Sequence, residues 1–397
     1  MIDPARHRPL LPLAWDAAAA EAAIEEIVAD ALGAFDPISF WPAHPQDDGV
    51  EDGETSLYFG AAGMVWALDY LARVGATTAR PDFRAVLPRL LTANTAAFAR
   101  MNYAAHGSLL FGDMGTALVA MRIAPSPATA DLVFARAEAN TALPIRELMW
   151  GLPGSLLASL HMHTLTGEPR WRRLFEAQAA RLIDALEDTP DGRLWTQDLY
   201  GQHRQWLGPV HGFAGNMIPL LRGWHWLSEA QQATVAEAAT RTLALTAITS
   251  ETGATWPPQT RPTRPVSLCQ HCHGAPGMVT TFAAAPFRSA ALDALDALMA
   301  AGGAFTWAAG PLAKGSNLCH GTGGNGYAFL RLYERTGEEL WLERARVFAM
   351  NAIGQWREAR EAVGRGRYSL WTGDIGLAVY LWDCGRGVGA FPVVDVV

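Results

Sequence analysis

Charged side chains, cysteines and basic clusters are all scarce in this chain, and each scarcity excludes a class of protein. Asp, Glu, Lys and Arg make up 18% of the 397 residues while hydrophobic residues make up 50%, so disorder over most of the chain is excluded. A formal net charge of −8 and the lack of any Lys/Arg run argue against a nucleic-acid-binding surface. Four cysteines are too few for a disulfide framework.

Long apolar runs are also missing. No uncharged apolar stretch reaches the roughly 18 residues of a membrane-spanning helix, and residues 1–12 lack the apolar core of a signal peptide. We therefore expect a cytoplasmic protein that does not insert into membranes. In that reducing compartment, Cys269, Cys272 and Cys319 are interpreted as thiolates for a metal or for redox chemistry. Cys384 lies in an apolar run and is interpreted as a buried small hydrophobe.

Glycine, in contrast, recurs in a pattern. Seven motifs carry two glycines three residues apart: FGAAG, FGDMG, WGLPG, HGFAG, HGAPG, HGTGG and TGDIG, with first glycines at 60, 112, 151, 212, 274, 321 and 373. A period of about 50 residues with an apolar segment after each copy indicates a repeat architecture. A single repeat domain over residues 1–397 is the simplest interpretation.

The segments around the motifs have helical periodicity. Those that follow the motifs are apolar nearly all round, as expected for helices without a solvated face. Those between the motifs are amphipathic, with examples at 16–35, 81–102, 168–186, 228–249 and 338–356. Alternating β-branched runs are scarce. We therefore predict an all-α fold, an α/α toroid of seven helical hairpins with the glycine loops at one end of the cavity.

The glycine loops define the end of the toroid where a site is expected. Each pair of glycines would let the backbone turn with positive φ and let neighbouring helix N-termini crowd together. All the inner-helix N-termini would then face one end of the cavity. Because helix N-termini carry partial positive charge and free N–H groups, that end suits thiolates, carboxylates and anionic ligands.

Two consecutive motifs carry candidate metal ligands in register: Cys272-His273-Gly274 and Cys319-His320-Gly321. Equivalent loops of adjacent repeats are neighbours in a toroid, so Cys272, Cys319 and His320 would converge with one coordination position open. Two thiolates, one imidazole and an exchangeable water are a catalytic rather than a structural zinc arrangement. One zinc ion per chain would bind a substrate thiol and hold it deprotonated at neutral pH.

Three further residues are candidates for catalysis or its support. His211 occupies the equivalent loop one repeat earlier and is interpreted as a general acid or base beside the metal. His273 follows a candidate ligand directly and is expected to point into the cavity. Glu147, four residues before Gly151, either orients an imidazole or caps a helix.

Other residues near the motifs leave alternatives open. Cys269 forms a CxxC with Cys272, which is compatible with a redox dithiol or with an additional zinc ligand. His271 lies between them and has no assigned role. Asp113 and Asp374 lie inside glycine motifs without a neighbouring thiol, and we interpret both as helix N-terminal caps.

These motifs resemble those of the lanthionine synthetase C-like family. The resemblance covers essentially the whole chain and rests on the seven glycine repeats and on HGFAGN at 211–216, QHCHGAPG at 270–277, KGSNLCHGTGGNGYAFL at 314–330 and YSLWTGDIG at 368–376. It implies a seven-fold α/α toroid with one zinc. Bacterial members of that family cyclise peptides by adding a cysteine thiol to dehydroalanine or dehydrobutyrine, whereas eukaryotic-type members add glutathione to such residues.

The resemblance also assigns roles to positions. It implies Cys272, Cys319 and His320 as zinc ligands and His211 as the active-site histidine. Three other positions resemble eukaryotic-type members. These are Glu147, where bacterial cyclases have aspartate, His273, where they usually have tyrosine, and Lys314, which matches a lysine that contacts glutathione.

Some positions depart from the family. Leu268 stands where bacterial cyclases often carry arginine, and His271 stands where tryptophan is usual. Arg365 and Arg367 lie near a glutathione-contacting arginine of eukaryotic-type members but align with it only across a gap.

The leading functional hypothesis is a zinc-dependent enzyme that adds a thiol to dehydroalanine or dehydrobutyrine and so forms a thioether. The expected partner is a small thiol such as glutathione, or a dehydrated peptide. Two alternatives remain at this point: a lanthipeptide cyclase that acts on an intramolecular cysteine, and a non-catalytic zinc-containing scaffold. A glycan-processing toroid is disfavoured, because the motifs supply thiols and imidazoles rather than paired carboxylates.

Overall fold

Helices dominate the computed structural model, which describes residues 2–47, 53–100, 107–262, 268–287 and 293–397. One set of helices follows the glycine motifs, and the other set lies between them. The set after the motifs comprises α2 (Ala61–Val74), α4 (Asp113–Ile123), α6 (Leu152–Thr166), α8 (Phe213–Arg222), α10 (Ala275–Phe282), α12 (Thr322–Thr336) and α14 (Ile375–Arg386). The set between them comprises α1 (Ala17–Gly33), α3 (Leu87–Arg100), α5 (Pro127–Ala139), α7 (Pro169–Asp184), α9 (Glu229–Thr246), α11 (Asp293–Ala309) and α13 (Glu339–Val363).

The helices after the motifs form a closed inner ring. Each of them packs against the next, and α14 packs back against α2. Outer helices α5, α7, α11 and α13 each pack on the inner helix that precedes them, while α1 packs on α14. Every residue of α10 is buried, as its largely apolar sequence predicts. The predicted α/α toroid of seven helical hairpins is confirmed.

The amphipathic stretches match the outer helices with shifts at their ends. Helices α1, α7 and α9 lie within residues 16–35, 168–186 and 228–249. Helix α3 begins only at Leu87, and the predicted last residues of that stretch, 101 and 102, lie outside the described residues. Helix α13 passes its predicted end at 356 and runs to Val363, because the first left-handed residue available to terminate it is Gly364, with φ of 79°.

The glycine motifs work by close packing rather than by positive φ. At six of the seven motifs the first glycine has a negative φ, and only Gly274 is left-handed, with φ of 119°. A Cβ on the second glycine of any motif would lie 1.7 to 2.7 Å from the carbonyl oxygen six residues earlier, as at Gly324 and Gly277. The expectation of positive φ is therefore wrong, and the expectation of crowding at the inner-helix N-termini is right.

Three small β-hairpins interrupt the helical pattern, which sequence periodicity did not predict. They pair β1 (Glu187–Thr189) with β2 (Gly192–Leu194), β3 (Gln197–Leu199) with β4 (Gln202–Arg204), and β5 (Ile248–Ser250) with β6 (Gly253–Thr255). Strands of three residues are too short to establish an alternating pattern. Tyr200 and Gly201 turn the second hairpin with φ of 54° and 69°, a conformation suited to a two-residue hairpin loop.

The segment after α14 folds back into the centre of the ring. Asp395, whose side chain is 12% exposed, lies between Arg222 of α8 and Arg331 of α12 and forms ion pairs with both. Burial favours the neutral acid, but the two guanidinium groups outweigh it and lower the pKa of Asp395. The segment borders a central cavity of about 150 Å³ together with inner-helix side chains. No helix in the described part of the chain is long and apolar enough to cross a membrane.

Candidate metal centre

The glycine loops are joined laterally by backbone hydrogen bonds, which set the spacing of the site. Cys272 N donates to the Cys319 carbonyl at 3.1 Å, and Cys319 N donates to the Trp371 carbonyl at 2.8 Å. The series continues from Trp371 N to the Tyr58 carbonyl at 3.2 Å and from Tyr58 N to the Leu110 carbonyl at 2.9 Å. These five residues all stand two positions before the first glycine of their motifs. The hydrogen bonds hold them side by side around the end of the cavity that carries the glycine loops.

This lateral packing brings the three candidate ligands together. One ligand atom from each of Cys272, Cys319 and His320 lies within 4.8 Å of the others, and both cysteines are buried. His320 N donates to Asn317 Oδ1 at 3.0 Å, which fixes the loop that carries the imidazole. Zn–S bonds of about 2.3 Å place two sulfurs about 3.8 Å apart, so the cluster is within about 1 Å of zinc spacing. The donor set of two thiols and one imidazole fits zinc.

Two side chains donate hydrogen bonds to the sulfurs. Tyr58 Oη lies 2.6 Å from Cys319 Sγ, and Gln270 Nε2 lies 3.0 Å from Cys272 Sγ. Burial raises the pKa of Tyr58 well above its ordinary value, so its hydroxyl stays protonated and acts as a donor. Sequence analysis missed both residues, although Tyr58 stands at the same motif position as Cys272 and Cys319.

The two thiols shift each other's pKa in opposite directions. The hydrogen bond between them lowers the pKa of Cys272 and raises the pKa of Cys319 well above the usual value. Lys314 contributes in the same direction at both sites, because its positive charge lowers both pKa values. A divalent cation would displace the thiol protons, since metal binding requires both sulfurs as thiolates.

A carboxylate–imidazole pair links the loops of the third and fourth glycine motifs. His211 Nδ1 lies 2.8 Å from Glu147 Oε2, and Glu147 is 0% exposed. The carboxylate also accepts hydrogen bonds from Met149 N at 3.3 Å and from Trp150 N. Because an ionised carboxylate only accepts, it selects the tautomer with the proton on Nδ1 and leaves His211 Nε2 for exchange. Glu147 therefore orients an imidazole and also fixes its own loop.

The loop of His211 packs directly on the loop of Cys272. A Cβ on Gly208, four residues before Gly212, would lie 2.1 Å from the Cys272 carbonyl oxygen and 3.1 Å from His273 Nδ1. Only glycine permits this approach, which places the loop that carries His211 against the loop that carries Cys272. The ring of Tyr200, at the tip of the β3–β4 hairpin, contacts His211 edge-on with centroids 5.6 Å apart.

His273 lies in the same recess as a neutral side chain. Burial, with a further contribution from the charge of His211, lowers the pKa of His273 to about 4. Its Nδ1 has no hydrogen-bond partner among the described residues, and its ring centroid lies 6.2 Å from that of Trp206. At neutral pH His273 can therefore accept or donate one hydrogen bond but does not supply a positive charge.

Lys314 lies at the exposed rim of the site. It borders a small cleft together with Arg365, Arg367 and Asp374. Arg367 is engaged by Asp47 at 2.8 Å, whereas Lys314 forms no ion pair within the described part of the chain. The ammonium of Lys314 is thus open to an anionic group, and Arg365, which donates to the Ala43 carbonyl, likewise forms no ion pair among the described residues.

Four residues near the motifs lie apart from the thiol cluster. Burial raises the pKa of Cys269 to about 12, and this cysteine is not part of the ligand group. His271 stacks on Phe391 at 4.1 Å and borders the central cavity. Neither Asp113 nor Asp374 makes the predicted capping hydrogen bond. Asp113 lies in the first turn of α4, after the N-cap Gly112, and forms an ion pair with Arg136 at 2.9 Å. Asp374 stands at the N-cap of α14, as predicted, but its carboxylate accepts from Arg367 N, seven residues before it in the chain, at 2.9 Å.

A sequence profile for the family described as Lanthionine synthetase C-like protein matches residues 51–388. The chain is 34% identical over 134 residues to glutathione S-transferase LANCL1 of Danio rerio, across 32% of each protein. It is 38% identical over 129 residues to LanC-like protein GCL1 of Arabidopsis thaliana, across 29% of this chain and 27% of that protein. The chain thus spans about a third of the length of the curated relatives it matches.

Among solved structures, nisin cyclase is similar along most of its length. The two structures superpose with a TM-score of 0.62 over 93% of this chain and 95% of nisin cyclase, and their sequences are 14% identical. At this level of identity the likeness establishes the fold alone.

Proposed function

The chain belongs to the lanthionine synthetase C-like protein family, and from that premise we propose that it catalyses zinc-dependent addition of a thiol to a dehydroamino acid. The product is a thioether at the β-carbon of a former dehydroalanine or dehydrobutyrine. One observation carries this proposal: two buried thiols and an imidazole converge, and the loop of Cys272 packs against the loop of a histidine that a buried carboxylate orients. That combination suits thiol activation followed by proton transfer.

Cys272, Cys319 and His320 would hold the zinc, which when bound supplies a positive charge that keeps an added thiol deprotonated at neutral pH. Three protein ligands leave room for that thiol, whereas a structural zinc site is normally closed by four. The loop hydrogen bonds between Cys272, Cys319 and Trp371 keep the ligands in place while the thiol exchanges.

The proton is handled by His211 and Glu147. As the substrate sulfur forms its bond to the β-carbon, the C=C π pair moves toward the α-carbon, which then takes a proton. His211 Nε2 first takes the proton that the substrate thiol releases and later delivers it to the α-carbon. Glu147 holds the tautomer and stabilises the imidazolium between the two transfers. His273, neutral at pH 7, lines the recess and can hydrogen-bond the acceptor's carbonyl.

We further propose that the thiol is a small external molecule of the glutathione type. The exposed ammonium of Lys314 stands at the rim of the site and can pair with a carboxylate of such a thiol. A cysteine already within the acceptor peptide would not need that pair. The lanthipeptide cyclase is therefore the outcome that the test below must separate from external transfer.

We propose that residues 1–397 act as one domain in a reducing, cytoplasmic setting. The segment before α1 is tied to the ring, since Arg8 N donates to the Pro311 carbonyl at 2.8 Å and Leu11 N to Asn351 Oδ1 at 3.1 Å. Asp395 ties the other end to α8 and α12. The thiols at the site must stay reduced to bind metal.

Mass spectrometry of a dehydroalanine peptide, incubated with zinc-loaded protein, tests the proposal. With glutathione present, we expect the peptide to gain one glutathione mass. A peptide that instead keeps its mass but loses its free cysteine would establish cyclisation. No change with either thiol source, while zinc is retained, would support the non-catalytic scaffold. The His211→Asn protein is the matched control for uncatalysed addition.

A further inference from the structure

In the proposed reaction, only the substrate sulfur, and not a ligand sulfur of the protein, must attack the dehydroamino acid. Thiolates of Cys272 and Cys319 would lie beside the substrate thiolate, and all three are nucleophiles. If Cys319 attacked the acceptor, its lone pair would form an S–C bond to the β-carbon, and the displaced π pair would take a proton at the α-carbon. The product is a thioether in place of a ligand thiolate, and the site would be lost.

The structure supplies each protein sulfur with a side-chain donor. Tyr58 Oη lies 2.6 Å from Cys319 Sγ, across a sequence separation of 261 residues. Gln270 Nε2 lies 3.0 Å from Cys272 Sγ. A hydrogen bond to an anionic sulfur occupies a lone pair and withdraws electron density, so it lowers nucleophilicity more than a bond between neutral groups would.

The Tyr58 ring is held by stacking, and the backbone of Gln270 is fixed next to its cysteine. The ring of Tyr58 is stacked between Phe111, at 5.5 Å, and Trp371, at 5.3 Å, with interplanar angles of 24° to each. Its backbone is fixed on both sides by the bonds to the Leu110 and Trp371 loops. Gln270 forms a paired backbone bridge with His273, at 3.1 and 3.0 Å. Neither the tyrosine nor the glutamine is needed to complete the ligand set.

We propose that Tyr58 and Gln270 are positioning residues that shield the ligand thiolates and so direct the dehydroamino acid to the substrate sulfur. A small thiol entering from the solvent end receives no comparable donor from these two side chains, because each is already engaged with a cysteine. This inference rests on the proposed function for its purpose. The shielding itself is a property of the resting site and can be measured without turnover.

The first test uses the Co(II)-substituted protein. Loss of the hydroxyl in Tyr58→Phe raises the energy of the sulfur lone pair, so the thiolate-to-cobalt charge-transfer band is expected at longer wavelength. Tyr380→Phe is the matched control, since Tyr380 is equally buried but donates to the Ala345 carbonyl at 2.7 Å rather than to a ligand sulfur. An unshifted band in Tyr58→Phe, with cobalt bound, would overturn the proposal.

The second test measures self-alkylation. Zinc-loaded protein is incubated with a dehydroalanine peptide without any small thiol, and modified Cys319 is quantified by peptide mass spectrometry. We expect Tyr58→Phe to be alkylated about tenfold faster than wild type, the effect of losing one charge-assisted hydrogen bond. Equal rates in wild type, Tyr58→Phe and Tyr380→Phe would contradict shielding.

Gln270→Met provides an independent variant if Tyr58→Phe does not fold. It keeps the length of the side chain, removes the amide donor, and should accelerate modification of Cys272 in the same assay. The outcomes separate this inference from the proposed function. If wild-type protein joins neither glutathione nor a peptide cysteine to the dehydroalanine peptide, while both variants show faster alkylation of their ligand cysteines, the proposed function is refuted and the shielding is supported.

Discussion

The carboxylate of Glu147 allows the acid/base assignment to be tested by one substitution. Glu147 is fully buried and accepts hydrogen bonds from His211 Nδ1 at 2.8 Å, Met149 N at 3.3 Å and Trp150 N. Glu147→Gln keeps the volume and one acceptor oxygen but removes the charge that stabilises a protonated imidazole. A hydrogen bond to a charged group contributes about 1.5–3 kcal/mol, so the rate should fall by about 10- to 150-fold.

Steady-state kinetics of thioether formation would measure that effect. The fall is expected mainly in kcat, because Glu147 acts on His211 rather than on the incoming thiol. Zinc content should equal that of wild type, since Glu147 is not among the candidate ligands. Glu187→Gln is the control, because it neutralises an exposed carboxylate that contacts Thr196 away from the site. A Glu147→Gln protein with wild-type kcat would refute the role assigned to the pair.

Four other predictions follow from the described geometry. Cys319→Ala should lose most of the bound zinc while Cys384→Ala, a buried cysteine apart from the ligand group, should retain it, as measured by elemental analysis. His211→Asn should keep its zinc but lose rate by roughly 10²–10⁴-fold; loss of zinc would reassign it as a ligand. Lys314→Ala should raise the KM for glutathione about tenfold, a change of about 1.4 kcal/mol, and an unchanged KM would remove Lys314 from thiol binding. Burial lowers the pKa of His161 from 6.5 to about 3, so this histidine stays neutral in the folded protein while the unfolded chain binds a proton as the pH falls below 6.5. Acidification from pH 7 to 5 should therefore lower the unfolding free energy of wild type by about 2 kcal/mol through His161. Urea titrations at both pH values should show that His161→Gln loses about 2 kcal/mol less than wild type.

The repeat pattern made the architecture predictable from sequence. Glycine pairs at a regular period, each followed by an apolar segment, specify inner helices whose N-termini crowd together. The sequence identified the three ligand candidates Cys272, Cys319 and His320 because equivalent loop positions of adjacent repeats lie next to each other in a ring. The lateral hydrogen bonds between loops then bring equivalent motif positions side by side.

Features that depend on contacts between distant elements were not predictable. Tyr58 reaches Cys319 only because the ring closes between the last repeat and the first. Asp113 and Asp374 have the residue type of helix caps, but Arg136 and the Arg367 backbone compete successfully for their carboxylates. The entry of Asp395 into the centre of the ring has no local sequence signal, since its partners lie on α8 and α12.

In the proposed function, the residues that build the fold differ from the residues that carry out the reaction. Glycines and buried aromatic residues form the end of the cavity that carries the loops, and the second glycine makes the same close backbone contact in every motif. Substitutions at two positions of each motif, those one and two residues before the first glycine, supply the ligands, the acid/base group and the shielding hydroxyl. New chemistry in this fold therefore requires changes at these loop positions and leaves the helices intact.

X-ray absorption at the zinc edge tests the central claim most directly, because it counts the atoms bound to the metal. The resting protein should show two sulfur ligands, from Cys272 and Cys319, with nitrogen or oxygen completing the shell. Addition of glutathione should raise the count to three sulfurs. A sulfur count that stays at two with saturating glutathione, or that reaches four in the resting protein, would contradict the proposal that this site binds and activates an external thiol.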